Sequence, residues 1–292
     1  MLCIALPGPA TNRPPTIEFT WALTLASVRA VVREKSKGDP WARRNCEVAV
    51  ADIYDAAALT EAFKGAEGVF ILIPPVFNPK PGFPEAIAFA AALKLAIGAA
   101  RPGKVVYLST IGADAKETNL LTQHTIIEDA LRELPLPVTF LRPAWFIENA
   151  SWDVAPAQAE GVIRSFLQPL DRAVPMVATA DIGKLAAEVL QKTWTGKSVV
   201  ELEGPVRITP YDIAGAFSRL LGQPVKAQAV PRESWESLFL SQGMQNPTPR
   251  VRMLDGFNEG WIEFERGASS SQKGTTSLET VLQSLINRAN KR

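Results

Sequence analysis

The sequence predicts an α/β fold: a doubly wound parallel sheet with a smaller α+β region towards the carboxyl terminus. Three observations lead there. Apolar, β-favouring runs recur at 28–34, 46–51, 68–73, 104–108 and 138–143, separated by helix-like stretches, as in repeated strand–helix–strand units. The 292 residues exceed one small core and suit a sheet domain of roughly 150 residues with a smaller partner. The stretch VTFLRPAWFIEN, 138–149, reads as a last strand opening into a pocket, because Pro143 stops it and Trp145, Phe146 and Asn149 follow where the chain leaves the sheet. The carboxyl edge of an open α/β sheet is where ligands bind. The expected division is 1–150 and 151–292, with 174–192 returning to the first unit.

In chain order, 2–6 is a short first strand and 17–25 a candidate first helix. The run VRAVVRE is a second strand ending in Arg33. An acidic residue at that edge would bond an adenosine ribose, whereas an arginine pairs with the 2′-phosphate of NADP, so Arg33 favours NADP(H) over NAD(H). A solvated surface arginine is the alternative. Residues 46–51 form a third strand closed by Asp52, and Asp55 is a good amino cap for a helix over 56–63. GVFILI at 68–73 is apolar throughout, as a strand covered on both faces should be, and Pro74 and Pro75 end it. An alanine-rich helix over 84–100 and a fifth strand over 104–108 come next, then Ser109, Thr110 and Gly112.

Beyond Asn149, short strands are expected at 165–170 and 174–178, a helix with Asp181 near its start, and a strand at 198–202. A helix opens at Thr209–Pro210 and ends at Gly222, a strand covers 225–230, and PRESWESLFLSQGM begins a helical lid with Trp235 and Phe239 on one face. Met253, Phe257, Trp261 and Phe264 are expected near a pocket mouth suited to a flat apolar substrate, or simply in a packed core. A closing helix spans 277–286.

Composition narrows the partners. With 31 basic and 30 acidic residues the formal net charge is +1, which favours neither nucleic acid nor an anionic membrane. Cys3 and Cys46, expected on adjacent buried strands, have no metal-ligand spacing, so no metal site is expected. The opening MLCIALPGP lacks a basic region, prolines interrupt it, and no apolar run approaches the ~18 residues of a membrane span, so a soluble cytoplasmic chain is expected.

Four runs, GVFILIPP, VVYLSTIGA, LRPAWFIEN and VATADIG, resemble the NmrA-like branch of the atypical short-chain dehydrogenase/reductases, over about residues 28–286. The resemblance implies a Rossmann sheet binding NAD(P). It places Asp52 and Ile53 beside the adenine, Ile73, Pro74 and Pro75 under the nicotinamide-side ribose, and Ser109, Pro143 and Phe146 around the cofactor. Thr110 stands with Ser109 where the wider family carries a catalytic hydroxyl. Trp145, Phe146 and Asn149 would face the substrate, although both aromatics equally suit core packing.

Two departures stand out. The family's glycine-rich loop aligns its arginine with Arg13, and its three glycine positions then fall on Leu6, Pro9 and Asn12. Only Gly8 remains to approach a pyrophosphate, with Asn12 and Arg13 as the other candidate contacts. Either a compensated pair of frameshifts between about 5 and 27, or loss of tight cofactor binding, accounts for this loop. The second departure is the missing proton relay, a tyrosine with a lysine four residues on. The resemblance puts Leu120 and His124 in those places, with Glu128 one turn beyond. His124, the only histidine, is expected either to hold the ribose or donate a proton near neutral pH, oriented by Glu128, or to be a partly buried polar residue.

The expected function is NADPH-dependent reduction of quinones or similar flat acceptors by direct hydride transfer. Alternatives are a non-catalytic NAD(P) sensor acting through a regulatory protein partner, and a family member disabled in cofactor binding. A monomer or homodimer is expected.

Overall fold

A computed structural model describes residues 2–4, 28–74, 76–267 and 269–291. Its strands are β1 (Leu2–Ile4), β2 (Arg29–Val32), β3 (Glu47–Val50), β4 (Val69–Ile71), β5 (Val105–Leu108), β6 (Val138–Pro143), β7 (Trp145–Phe146), β8 (Val162–Ser165), β9 (Met176–Val177), β10 (Lys197–Glu203), β11 (Lys226–Ala229) and β12 (Gln272–Lys273). Its helices are α1 (Asp39–Ala42), α2 (Ala56–Phe63), α3 (Pro84–Ala100), α4 (Thr122–Arg132), α5 (Val154–Glu160), α6 (Thr179–Gln191), α7 (Pro210–Leu221), α8 (Trp235–Ser241), α9 (Thr248–Glu259) and α10 (Leu278–Ala289).

Eight strands form one sheet in the order β12-β10-β6-β5-β4-β1-β2-β3, the doubly wound Rossmann arrangement. The pairs β2–β3, β4–β5, β5–β6 and β6–β10 are parallel, as expected, and so is β10–β12, whose strand β12 was not expected. The exception is β1, which runs antiparallel to both β2 and β4. Ile4 therefore stands opposite Arg29, at the amino edge of the parallel strands. The expected doubly wound Rossmann sheet is present, with β1 as an antiparallel strand within it. Strand propensity sets that a segment is extended, not the direction in which it pairs.

Side chains of the central strands alternate between two cores. Val69, Ile71, Val105, Tyr107, Val138 and Phe140 join α2, α3 and α4, while Phe70, Val106 and Leu141 join α6, α7 and α10. Period-two alternation with apolar residues on both faces is what makes these strands read as continuous hydrophobic runs. Fully burying a side chain such as Phe63 or Phe70 contributes about 1.5–3 kcal/mol each.

The helix ends follow their caps. Asp55 accepts from the Ala57 and Ala58 N–H groups at 3.0 Å, opening α2 where expected. Thr209 and Asp212 form a reciprocal capping box on α7, and Gly222 closes it at φ 68°, a conformation only glycine adopts freely. Asp181 accepts from Thr275 N, Thr276 N and Thr276 Oγ1 and so ties α6 to the turn ahead of α10.

The later strands depart from expectation. The strand expected at 165–170 lies earlier, at β8, because the Ser165 hydroxyl bonds both the Leu167 N–H and carbonyl and turns the chain. Cys46 precedes β3 and β2 separates that strand from β1, so the two cysteines are not on adjacent strands. The helix expected at 17–25 lies outside the described residues. No described helix is long and apolar enough to cross a membrane.

Candidate functional site

Strands β5 and β6 deliver the residues at the centre of the carboxyl edge. Their register continues past the strands: Ser109 N donates to the Leu141 carbonyl at 2.8 Å and Ile111 N to that of Pro143 at 2.9 Å. Pro143 is itself the last strand residue, paired with Leu202, so the strand runs through it rather than stopping before it. The turn after β5 needs Gly112 at φ 72°, where a Cβ would come within 2.8 Å of Ile262.

The two hydroxyls here differ. Ser109 is buried, and its Oγ donates to Glu128 Oε1 at 2.6 Å. Thr110 is half-buried, and its hydroxyl makes no hydrogen bond among the described residues. Thr110 thus keeps its hydroxyl without a protein partner among the described residues, whereas Ser109, expected at the cofactor, bonds to Glu128.

Glu128 on α4 takes two prongs from Arg142 on β6, Nε to Oε1 at 2.9 Å and Nη2 to Oε2 at 2.8 Å, and a third bond from Arg132 at 2.8 Å. Arg142 Nη1 continues to Asp114 at 3.1 Å and Glu265 at 2.9 Å. Burial alone would raise the Glu128 carboxyl, but the Arg142 hydrogen bonds and charge, the Ser109 hydroxyl and the Arg132 charge hold it below the ordinary range. Burial likewise opposes the Arg142 charge, and Glu128 more than offsets it. A fully paired network of this kind fixes α4 against β5 and β6. Arg142 was not anticipated; the available signal was an arginine inside an apolar strand, which demands a buried partner.

His124 sits one turn before Glu128, and its Nδ1 lies 2.8 Å from the Tyr107 hydroxyl. Tyr107 is fully buried, and burial, with the nearby Glu128 charge, raises its pKa well above the ordinary value. It keeps its proton, and His124 is the acceptor in reach, so Tyr107 donates to Nδ1 and the imidazole carries its proton on Nε2. Burial lowers the histidine to about 4, outweighing the opposing Glu128 charge. This corrects two expectations. His124 is neutral rather than a proton donor near neutral pH, and Tyr107 orients it, because Glu128 is taken up by Arg142, Arg132 and Ser109.

Other expected site residues take the following places. Arg33 follows β2 with its side chain 72% exposed and an ion pair to Glu34 at 3.5 Å. Asp52 accepts from Tyr54 N at 2.9 Å, shaping the turn after β3 beside Arg33, and Ile53 packs partly into the core. Ile73 is buried and Pro74 half-buried after β4. Gly8, Asn12, Arg13 and Pro75 lie outside the described residues.

Trp145 and Phe146 form β7 and are half-buried, and Asn149 makes no side-chain hydrogen bond among the described residues. Trp145 meets Phe257 edge-on at 5.2 Å. Phe257 and Phe264, expected near a pocket mouth, are buried core residues, while Met253 and Trp261 stay half-buried. Trp235 and Phe239 do share one face of α8, turned inward against Phe166. Among the described residues no His, Cys, Asp and Glu group has metal-holding geometry.

Comparison with known proteins agrees with this architecture. NAD(P)H azoreductase of Xenophilus azovorans is 25% identical over 234 residues, covering 79% of this chain and 76% of the relative. Quinone oxidoreductase 2 of Escherichia coli K12 is 25% identical over 222 residues, covering 75% and 74%. The solved structure of the Escherichia coli NADPH-dependent quinone oxidoreductase complexed with NADPH shares the fold, with a TM-score of 0.70 at 23% identity over 90% of both chains. The model of the NmrA-like family matches residues 19–270, and with that match spanning most of its length the chain belongs to the NmrA-like family.

Proposed function

We propose that this chain is an NADPH-dependent reductase of flat, electron-poor acceptors such as quinones. One observation carries the reading: the paired strands β5 and β6 end at the same sheet edge, the first followed by Thr110, whose hydroxyl has no partner among the described residues, the second by the half-buried aromatics Trp145 and Phe146. The relatives named above act on azo compounds and quinones by their own names, which supports acceptors of this class.

The fit of a dinucleotide differs along its length. At the adenosine end, Arg33 offers an exposed guanidinium to a 2′-phosphate, with Asp52 and Ile53 on the neighbouring strand end. At the nicotinamide end, Pro74, Pro143 and His124 would hold the ribose, as the family resemblance implies. The pyrophosphate position fits less well: Leu6, Pro9 and Asn12 replace glycines, and the carboxyl end of β1 lies at the opposite edge of the sheet. Bound NADPH supplies a hydride to the acceptor. The chain's own part is to stack the acceptor on Trp145 or Phe146 and donate the Thr110 hydroxyl to its carbonyl oxygen. The completing proton comes from water, since Tyr107 retains its own and His124 is neutral.

A second reading, a family member disabled in cofactor binding, is favoured by that same reversed strand. A turnover assay separates the two: NADPH oxidation followed in the presence of a quinone, with Thr110→Val lowering kcat/KM by about 10-fold. Tight NADPH binding without any turnover would instead support the sensor reading.

A further inference from the structure

Helix α9 carries an arginine with an aromatic neighbour but no ionic partner among the described residues. Arg250 is half-buried and lies 4.3 Å over the ring of Phe239, yet it makes no ion pair or hydrogen bond among the described residues. Nearby arginines behave differently: Arg252 pairs with Glu117 at 3.2 Å, and Arg232 grips Asp255 with two bonds. Arg250 also occupies the first turn of its helix, which holds no acidic residue. A cation there opposes the positive end of the helix dipole. Burial without a carboxylate lowers its pKa.

The start of its helix lies against the loops that follow β4 and β5. Asn78, in the loop after β4, accepts from the N–H groups of Gln245 and Asn246 at 3.0 Å, and Leu120, after β5, donates to the Pro249 carbonyl at 2.8 Å. The start of α9 is thereby pinned across the loops of the carboxyl edge. Arg250, Met253 and Phe257 follow one another at helical spacing; Phe257 meets Trp145 edge-on, and Met253 and Trp145 pack against the same core. The cation therefore begins the same stripe that backs the aromatic platform.

We propose that Arg250 recognises an anionic substituent of the acceptor, a carboxylate, sulfonate or phosphate, so that the preferred substrates are flat conjugated rings bearing a negative group. A guanidinium suits such groups because its fork matches their paired oxygens. That the anion belongs to an electron acceptor rests on the reductase reading, whereas the charge preference is tested by binding alone.

The test compares anthraquinone-2-sulfonate with 2-(hydroxymethyl)anthraquinone, which share the ring and differ in charge. Binding to the full chain is followed by tryptophan quenching and NADPH oxidation is measured in parallel, for the unaltered protein, Arg250→Gln and Arg250→Lys. The sulfonate should bind about 10-fold more tightly than the alcohol to the unaltered protein, and the ratio should fall to about unity in Arg250→Gln. Arg250→Lys should retain part of it. Equal affinity of both rings for the unaltered protein, or equal losses for both in Arg250→Gln, would overturn the proposal and leave Arg250 as a packing brace on Phe239. Charge-selective binding without turnover would defeat the reductase reading and leave this one standing; turnover without charge selectivity would do the reverse. Unfolding midpoints of the variants show whether either has lost its fold.

Discussion

Glu128 and Arg142 face each other across the α4–β6 interface through two parallel bonds of 2.8 and 2.9 Å, both side chains almost wholly out of solvent. Neither helix nor strand alone explains the position of the other. The pair, with Ser109, Arg132, Asp114 and Glu265, sets where the helix bearing His124 lies relative to the strand ends bearing Thr110 and Trp145.

Glu128→Ala should destabilise the fold by about 3 kcal/mol in urea titrations, because Arg142 stays buried with Nε and Nη2 unpaired and only Nη1 held by Asp114 and Glu265. A loss below about 1 kcal/mol would show that the site tolerates water in place of the carboxylate.

Stability should fall with acid through His124. Its folded pKa, about 4, lies below the ordinary 6.5, so the unfolded chain binds more protons between these values and stability rises with pH across that window. As the ring is only half-buried, the expected loss from pH 6.5 to 4 is about 1–2 kcal/mol rather than the full linkage value. Glu128, held below its ordinary range, adds its own loss only as pH falls through the carboxylate range and below. His124→Asn should flatten the upper part of the slope; an unchanged slope would place the titration elsewhere.

The Tyr107–His124 bond has a spectroscopic signature. With one histidine in the chain, a ¹⁵N-labelled sample gives a single pair of ring signals. They should report a neutral ring protonated on Nε2 at pH 7, and Tyr107→Phe should mix the tautomers at a cost of about 1–3 kcal/mol. A ring protonated on Nδ1 in the unaltered protein would contradict the donor assignment.

At the end of β2, Arg33→Ala should weaken NADPH by about 10-fold or more and leave NADH nearly unchanged, as expected for loss of a charge-assisted bond to one phosphate. Equal effects on both cofactors would defeat the role given to Arg33.

Much of the frame was legible because it depends on local chemistry. Apolar runs marked β2 to β6, and Asp55, Thr209 and Gly222 marked helix ends, since caps act within four residues. What escaped depends on distant partners. Tyr107 meets His124 across 17 positions, and Arg142 meets Glu265 across 123. For Phe257 and Phe264 a pocket mouth and a packed core were both open readings, because burial against another element leaves no mark in spacing; the core is where they lie. The direction of β1 was likewise silent, as three extended residues carry no orientation.

Whether a chain with this altered glycine loop binds NADPH is read directly by titrating the purified protein with NADPH and NADH, following tryptophan quenching and reduced-nicotinamide fluorescence, beside a variant with Leu6, Pro9 and Asn12 restored to glycine. The unaltered chain should bind NADPH with a dissociation constant on the order of 10 μM, and NADH more weakly. Binding seen only after the glycines return would contradict this and mark the chain as a disabled member of its family.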